Sequence, residues 1–76
     1  MITVKLYGLL RIESGIRERR IEADNMTHVF RDLMHQGITK QDLNGCMLMV
    51  NGKPANKRSS LHDGDVVQLF PPVAGG

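Results

Sequence analysis

Val66-Val67-Gln68-Leu69-Phe70-Pro71-Pro72-Val73-Ala74-Gly75-Gly76 is the stretch from which the rest of the chain can be read. Val67 and Leu69 alternate with Gln68, the period-two pattern of a strand with one buried side. Pro71 and Pro72 end that ladder, because proline has no N–H to donate and holds φ in the extended range. Val73 and Ala74 after them are small, and the two glycines have no Cβ to collide with a narrow slot. Fully extended, the six residues beyond Phe70 span about 20 Å. Strand, proline pair and glycine pair in that order predict a folded body over residues 1–72. A short tail, 73–76, then presents its terminal carboxylate to another molecule's catalytic site.

Working back from this strand, Asp63-Gly64-Asp65 reads as a turn. Cys46-Met47-Leu48-Met49-Val50 reads as a strand stopped by Asn51-Gly52, a strong tight-turn pair, with Lys53 to Ala55 as a short return strand. Upstream the period changes. Met26, Val29, Phe30, Leu33 and Met34 form the apolar stripe of an amphipathic helix. Asp24, Asn25 or Thr27 can cap its start, and Gly37 suits the left-handed position at its end. Thr39 to Leu43 adds a further turn of helix. At the beginning of the chain, Ile2, Val4 and Leu6 alternate with Thr3, Lys5 and Tyr7, and a second strand comes over Arg19 to Ala23. Gly8 and Ser14-Gly15 bracket what reads as a loop between them, so these two strands are expected to pair as an antiparallel hairpin. The order ββαβ(β)β predicts an α+β domain, a mixed sheet with one main helix lying across it.

Several function classes drop out on composition. Seventy-six residues make one small domain, with little room for an enclosed ligand pocket, which favours a carrier or binding module over an enzyme. No apolar run approaches the ~20 residues of a membrane span, and no signal-peptide pattern comes after Met1. Cys46 is the single cysteine; an internal disulfide is impossible and a reducing cytoplasm is the expected location. A net charge of +2 is too small to imply a nucleic-acid partner. Glu18 and Glu22 interrupt Arg17, Arg19 and Arg20, which therefore read as a solvated surface, as do Lys57 and Arg58. His28 and His35 lie two helical turns apart, too far to share a metal ion without other ligands. Cys46 falls on the Leu48 and Val50 side of its strand, where a free thiol behaves as a small hydrophobe. No catalytic or metal-ligating residue is expected. Tyr7, Met47, Met49 and Phe70 have the opposite parity to the core positions of their strands. They are expected to form an exposed apolar patch of the kind that marks partner sites.

The element order and the run from Asp63 to Gly76 resemble the ubiquitin-like β-grasp sulfur carriers, which include the molybdopterin synthase small subunit and the thiamine-pathway sulfur carrier. Phe70-Pro71-Pro72-Val73 ahead of Gly75-Gly76 is similar to the former. So are Tyr7 and Arg11, an aromatic and an arginine like those with which that subunit meets its activating enzyme. The resemblance implies a β-grasp fold and a carrier that binds no cofactor of its own. Gly76 would be adenylated by a ubiquitin-activating-like adenylyltransferase that uses ATP and Mg²⁺. A sulfurtransferase would convert the adenylate to a thiocarboxylate, and a large molybdopterin synthase subunit would use that sulfur in molybdenum cofactor biosynthesis. Tyr7, Arg11, Met47, Met49, Phe70 and Pro71 would meet these partners. Sulfur delivery to the thiamine thiazole or another product, and conjugation to proteins as a ubiquitin-like modifier, remain open alternatives.

Overall fold

The computed structural model describes residues 1–72. Five strands and three helices succeed one another as β1 (Ile2–Leu6), α1 (Gly8–Ser14), β2 (Glu18–Ile21), α2 (Met26–His35), α3 (Lys40–Asn44), β3 (Met47–Val50), β4 (Lys53–Ala55) and β5 (Val66–Phe70). The sheet order is β2-β1-β5-β3-β4. Its central pair, β1 and β5, is parallel, with Val4 beside Val67 and Leu6 beside Leu69. The other pairings are antiparallel. This is the α+β β-grasp architecture the element order predicts.

One face of the sheet carries the core. Ile2, Val4, Leu6, Leu48, Val67 and Leu69 are buried there against Met26, Val29, Phe30 and Leu33 of α2. Burying those four helix side chains contributes on the order of 6–12 kcal/mol gross before entropy is subtracted. The helix starts where the Asn25 side chain accepts a hydrogen bond from the His28 N–H at 3.0 Å. Past its end Gly37 takes a φ of 97°, the left-handed geometry open to a residue without Cβ. Met34, placed on the stripe by its spacing, is instead exposed, because it lies at the margin of a helix face only four residues wide. Arg19 of β2 clamps α2 with two bonds to the Asp32 carboxylate, from Nε at 2.8 Å and Nη2 at 2.9 Å. That fork holds the guanidinium pKa above its ordinary value, chiefly through the hydrogen bonding.

The segment expected to be a loop between the first two strands is helix α1. Seven residues with one buried anchor, Leu10, are too few to show a helical period. Ser14-Gly15 are its C-terminal turn, with Gly15 at φ 72° donating its N–H to the Arg11 carbonyl. Leu61, solitary in a polar run, is also core, and its N–H donates to the Asp24 carbonyl at 2.9 Å. Asn51-Gly52 forms the tight turn between β3 and β4, with φ values of 52° and 80°. The Asn51 side chain clips that turn to β5. It donates to Asp65 Oδ1 and accepts from the Val66 N–H, both at 2.9 Å. Among the described residues no helix is long and apolar enough to cross a membrane.

Candidate functional site

Among the described residues, the face of the sheet opposite α2 has no covering layer. In register across it stand Lys5 beside Gln68, Gln68 beside Met49, and Met47 beside Phe70. Parity puts these side chains on the outer side, and the neighbouring residues Val4, Leu48, Val67 and Leu69 on the inner. Met47 is 63% exposed, while Met49, Phe70 and Tyr7 are half-buried. The patch is therefore not uniformly open. Tyr7 and Phe70 cover one another as stacked rings, centroids 4.5 Å apart and planes 12° from parallel. Gln68 Nε2 donates to the Tyr7 hydroxyl at 2.8 Å, which ties the ring to the centre of the sheet. The result is a small platform of two locked aromatics with flexible Met47 beside them. A rigid anchor and an adaptable thioether are the pair of properties suited to a recognition surface.

Backbone geometry places Pro71 at the edge of this platform. Tyr7 is both the last residue paired with β5, through its N–H to the Leu69 carbonyl at 3.2 Å, and the N-cap of α1. Gly8 comes next with a φ of 58°, and a Cβ built on it would sit 3.0 Å from Pro71 Cγ. Only glycine meets both demands without strain. Pro71 is thus half-buried on Gly8, not freely projecting, and Pro72 approaches Gly45 of the α3 end, 3.8 Å from where a Cβ would stand. These two approaches hold both prolines, the last described residues, against the ends of α1 and α3. The tail expected over 73–76, with Gly75 and Gly76, lies outside the described residues.

Arg11 is exposed on α1 and reaches the other flank of Tyr7. There it lines a cleft of about 270 Å³ with Lys5, Arg17 and Glu18. Lys5 and Glu18 approach to 4.0 Å across the β1–β2 pair. The structure therefore brings Tyr7, Met47, Met49 and Phe70 onto one face, Pro71 to its edge and Arg11 beside it. Sequence reasoning overlooked Gln68 and Lys5; a polar residue between Val67 and Leu69 was the available signal. Cys46 is half-buried, and its thiol donates to the Asp42 carbonyl at 3.2 Å. Burial, and then the Asp42 charge, push the thiol pKa up, which is the reverse of what a nucleophile needs. His28 Nδ1 accepts the Asp24 N–H at 3.2 Å, a capping role. Among the described residues no group of three metal-ligating side chains exists.

The model of the ThiS family matches residues 4–76. Comparison with curated protein sequences gave no match. Among solved structures, the small archaeal modifier protein SAMP1 of Haloferax volcanii superimposes with a TM-score of 0.84 at 23% identity, over 99% of this chain and 98% of that one. The complex of subunits 1 and 2 of molybdopterin-converting factor from Helicobacter pylori contains a chain with a TM-score of 0.75 and 28% identity, covering 99% and 97%. The BexX/CysO complex of Amycolatopsis orientalis gives a TM-score of 0.74 at 19% identity, covering both chains fully.

Proposed function

The chain belongs to the ThiS family of ubiquitin-like sulfur carriers, and on that premise we propose that Gly76 is its working group, carrying sulfur for molybdopterin formation. The observation that carries this reading is the uncovered platform of Tyr7, Phe70 and Met47 at the root of the tail. A partner that docks there is positioned to take up the residues beyond Pro72. The pathway rests on the Phe70-Pro71-Pro72-Val73 run and on the 28% identity to a chain of the molybdopterin-converting factor complex.

The chemistry explains why the carrier itself needs no catalytic side chain. A carboxylate is a poor electrophile, because its charge repels nucleophiles and neither oxygen leaves. In the proposed cycle an adenylyltransferase, using ATP and Mg²⁺, lets a Gly76 carboxylate oxygen attack the α-phosphorus and expel pyrophosphate. A persulfide then attacks the acyl carbon and expels AMP. A second thiol next cleaves the resulting sulfur–sulfur bond, leaving the thiocarboxylate on Gly76 and a disulfide on the sulfurtransferase. The thiocarboxylate delivers its sulfur to the pterin in a large synthase subunit. Partners stabilise the charges; this chain supplies docking and reach.

Intact-mass measurement after incubation with an adenylyltransferase, a sulfurtransferase, ATP and Mg²⁺ tests the reading. One oxygen exchanged for sulfur is expected, and deletion of Gly75-Gly76 abolishes both the exchange and pyrophosphate turnover. Gly76→Ala keeps the carboxylate but adds a methyl in the active-site slot; a misplacement of about 1 Å should slow adenylation by at least roughly tenfold. A truncated chain that still supports pyrophosphate exchange overturns the proposal. Covalent ladders on cellular proteins without sulfur exchange would replace it with a modifier.

A further inference from the structure

A second surface lies on the other side of α1. Two adjoining cavities of about 300 and 280 Å³ between α1 and α3 share Leu10, Glu13 and Asp42 on their walls and together make up a groove. It runs from Gly37 and Ile38 at one end to Pro71 and Pro72 at the other. Leu9 on its wall is 56% exposed, and Ile12, three positions on and outside the groove lining, is 73% exposed. A seven-residue helix thus leaves two large apolar side chains in water, three positions apart and adjacent on the helix surface. Uncovered, each leaves more than half of its surface in water, where burial would be favourable.

The charges beside the groove say what would cover it. Glu13 from α1 and Asp42 from α3 face the same space. Neither has an ion-pair partner among the described residues. Asp42 uses only its backbone locally, its N–H donating to Thr39 Oγ1 and its carbonyl accepting the Cys46 thiol. No described lysine or arginine lines either cavity: Arg11 of α1 lines the cleft on its far flank, and Lys40, which begins α3, lines neither.

We propose that this groove is a second docking site, which takes a partner-protein segment that sets an apolar side chain beside a lysine or arginine. The apolar side chain lies against Leu9, Leu10 and the prolines, and the cation meets Glu13 and Asp42. Because the groove and the sheet platform flank the tail root from different sides, one partner held on the platform leaves the groove open to another. The site goes beyond the carrier reading and does not depend on the fate of Gly76.

The test is an amide NMR titration of the full chain with a short amphipathic peptide of leucine and lysine, and with its leucine–glutamate counterpart. Shifts are expected at Leu9, Glu13, Gln41 and Gly45 with the basic peptide alone. E13K/D42K should weaken binding at least tenfold, and the milder E13Q/D42N about fivefold, each variant's folding being read from the same spectra. Met47→Ser, on the sheet platform, should bind normally. No binding, equal binding of the acidic peptide, shifts centred on Met47 and Gln68, or undiminished binding by folded E13Q/D42N each overturns the proposal. Sulfur exchange at Gly76 is a separate readout, so either proposal can fail alone.

Discussion

The two faces of this sheet share the same strands and the same ladder of backbone hydrogen bonds, yet differ in what they bury. Toward α2, Val4, Val67 and Leu69 are fully buried; on the outer side Lys5, Gln68 and Phe70, their neighbours one residue along, keep contact with solvent. One step of register exchanges the two sets. Packing energy resides on the face that α2 covers, so the outer face is free to be chosen for recognition. The same contrast recurs at the tail root, where glycine and proline packing fixes position without burying the platform.

The inner face should be broken most severely by Leu33→Ala. Leu33 is fully buried between α2 and the sheet, and deleting three carbons there costs about 2–5 kcal/mol. For 76 residues total stability is on the order of 4–11 kcal/mol, so a large part of it should vanish in a urea melt. A loss below about 1 kcal/mol would show that the helix-covered face does not dominate stability.

Gly8→Ala comes next, because it strikes the joint between the faces. Alanine at a φ of 58° costs about 1–2 kcal/mol from backbone strain alone. The contact with Pro71 adds a steric part, which Pro71→Gly should relieve while the backbone part persists. A double-mutant cycle separates the two. Full recovery in the double variant would mean that the positive φ carries no strain.

Asp65 extends the comparison to the loop end of β5, where polar turn contacts take the place of apolar packing. The His62 N–H, at 2.8 Å, and then the Asn51 side chain hold its carboxyl below the ordinary range. The unfolded chain, with a pKa of about 3.9, binds the proton more readily than the folded one. Stability from this group is therefore complete above pH ~4 and is lost as pH falls through the folded value. Asp65→Asn should flatten the acid limb of a melting-temperature profile and leave the neutral region level. An unchanged acid limb would place the sensitivity elsewhere, for which Asp63, held low by the Met1 amino group, is the next group to change.

How much of this was legible beforehand depends on how locally each feature is encoded. β5, β4 and the Asn51-Gly52 turn depend on neighbours in sequence, and their observed bounds match the reading from the chain. So do the Gly37 helix end and the placement of Tyr7, Met47, Met49 and Phe70 on one face, which needs only parity. What escaped was encoded across space. α1 is too short to show a period and is held by Leu10 in a core formed from distant strands. The role of Gly8 depends on Pro71, far along the chain. Gln68 looked like a solvent-facing spacer until Tyr7 came within hydrogen-bond reach.

The smallest effect on folding, and the sharpest contrast of faces, belongs to two adjacent residues of β3. Met47 is 63% exposed and Leu48 only 6%, so serine at each position removes a similar apolar side chain from opposite sides of one strand. Leu48→Ser leaves a hydroxyl in the core and should cost several kcal/mol, about 2–5 from the lost packing alone. Met47→Ser removes only surface contacts and should change stability by less than about 0.5 kcal/mol. Yet Met47 stands in register with Phe70, beside the stacked aromatics of the platform proposed to meet the adenylyltransferase. Truncating a contact residue that packs beside the aromatic anchors of such a surface should weaken binding by about 1 kcal/mol or more. Calorimetric titration with that enzyme should accordingly show a loss of about fivefold or more for Met47→Ser at unchanged urea midpoint. If instead Met47→Ser unfolded as readily as Leu48→Ser, the outer face would be a second core surface covered by something else. If it bound with full affinity, the platform would not be the docking face, and the partner would have to approach the tail from the α1–α3 side.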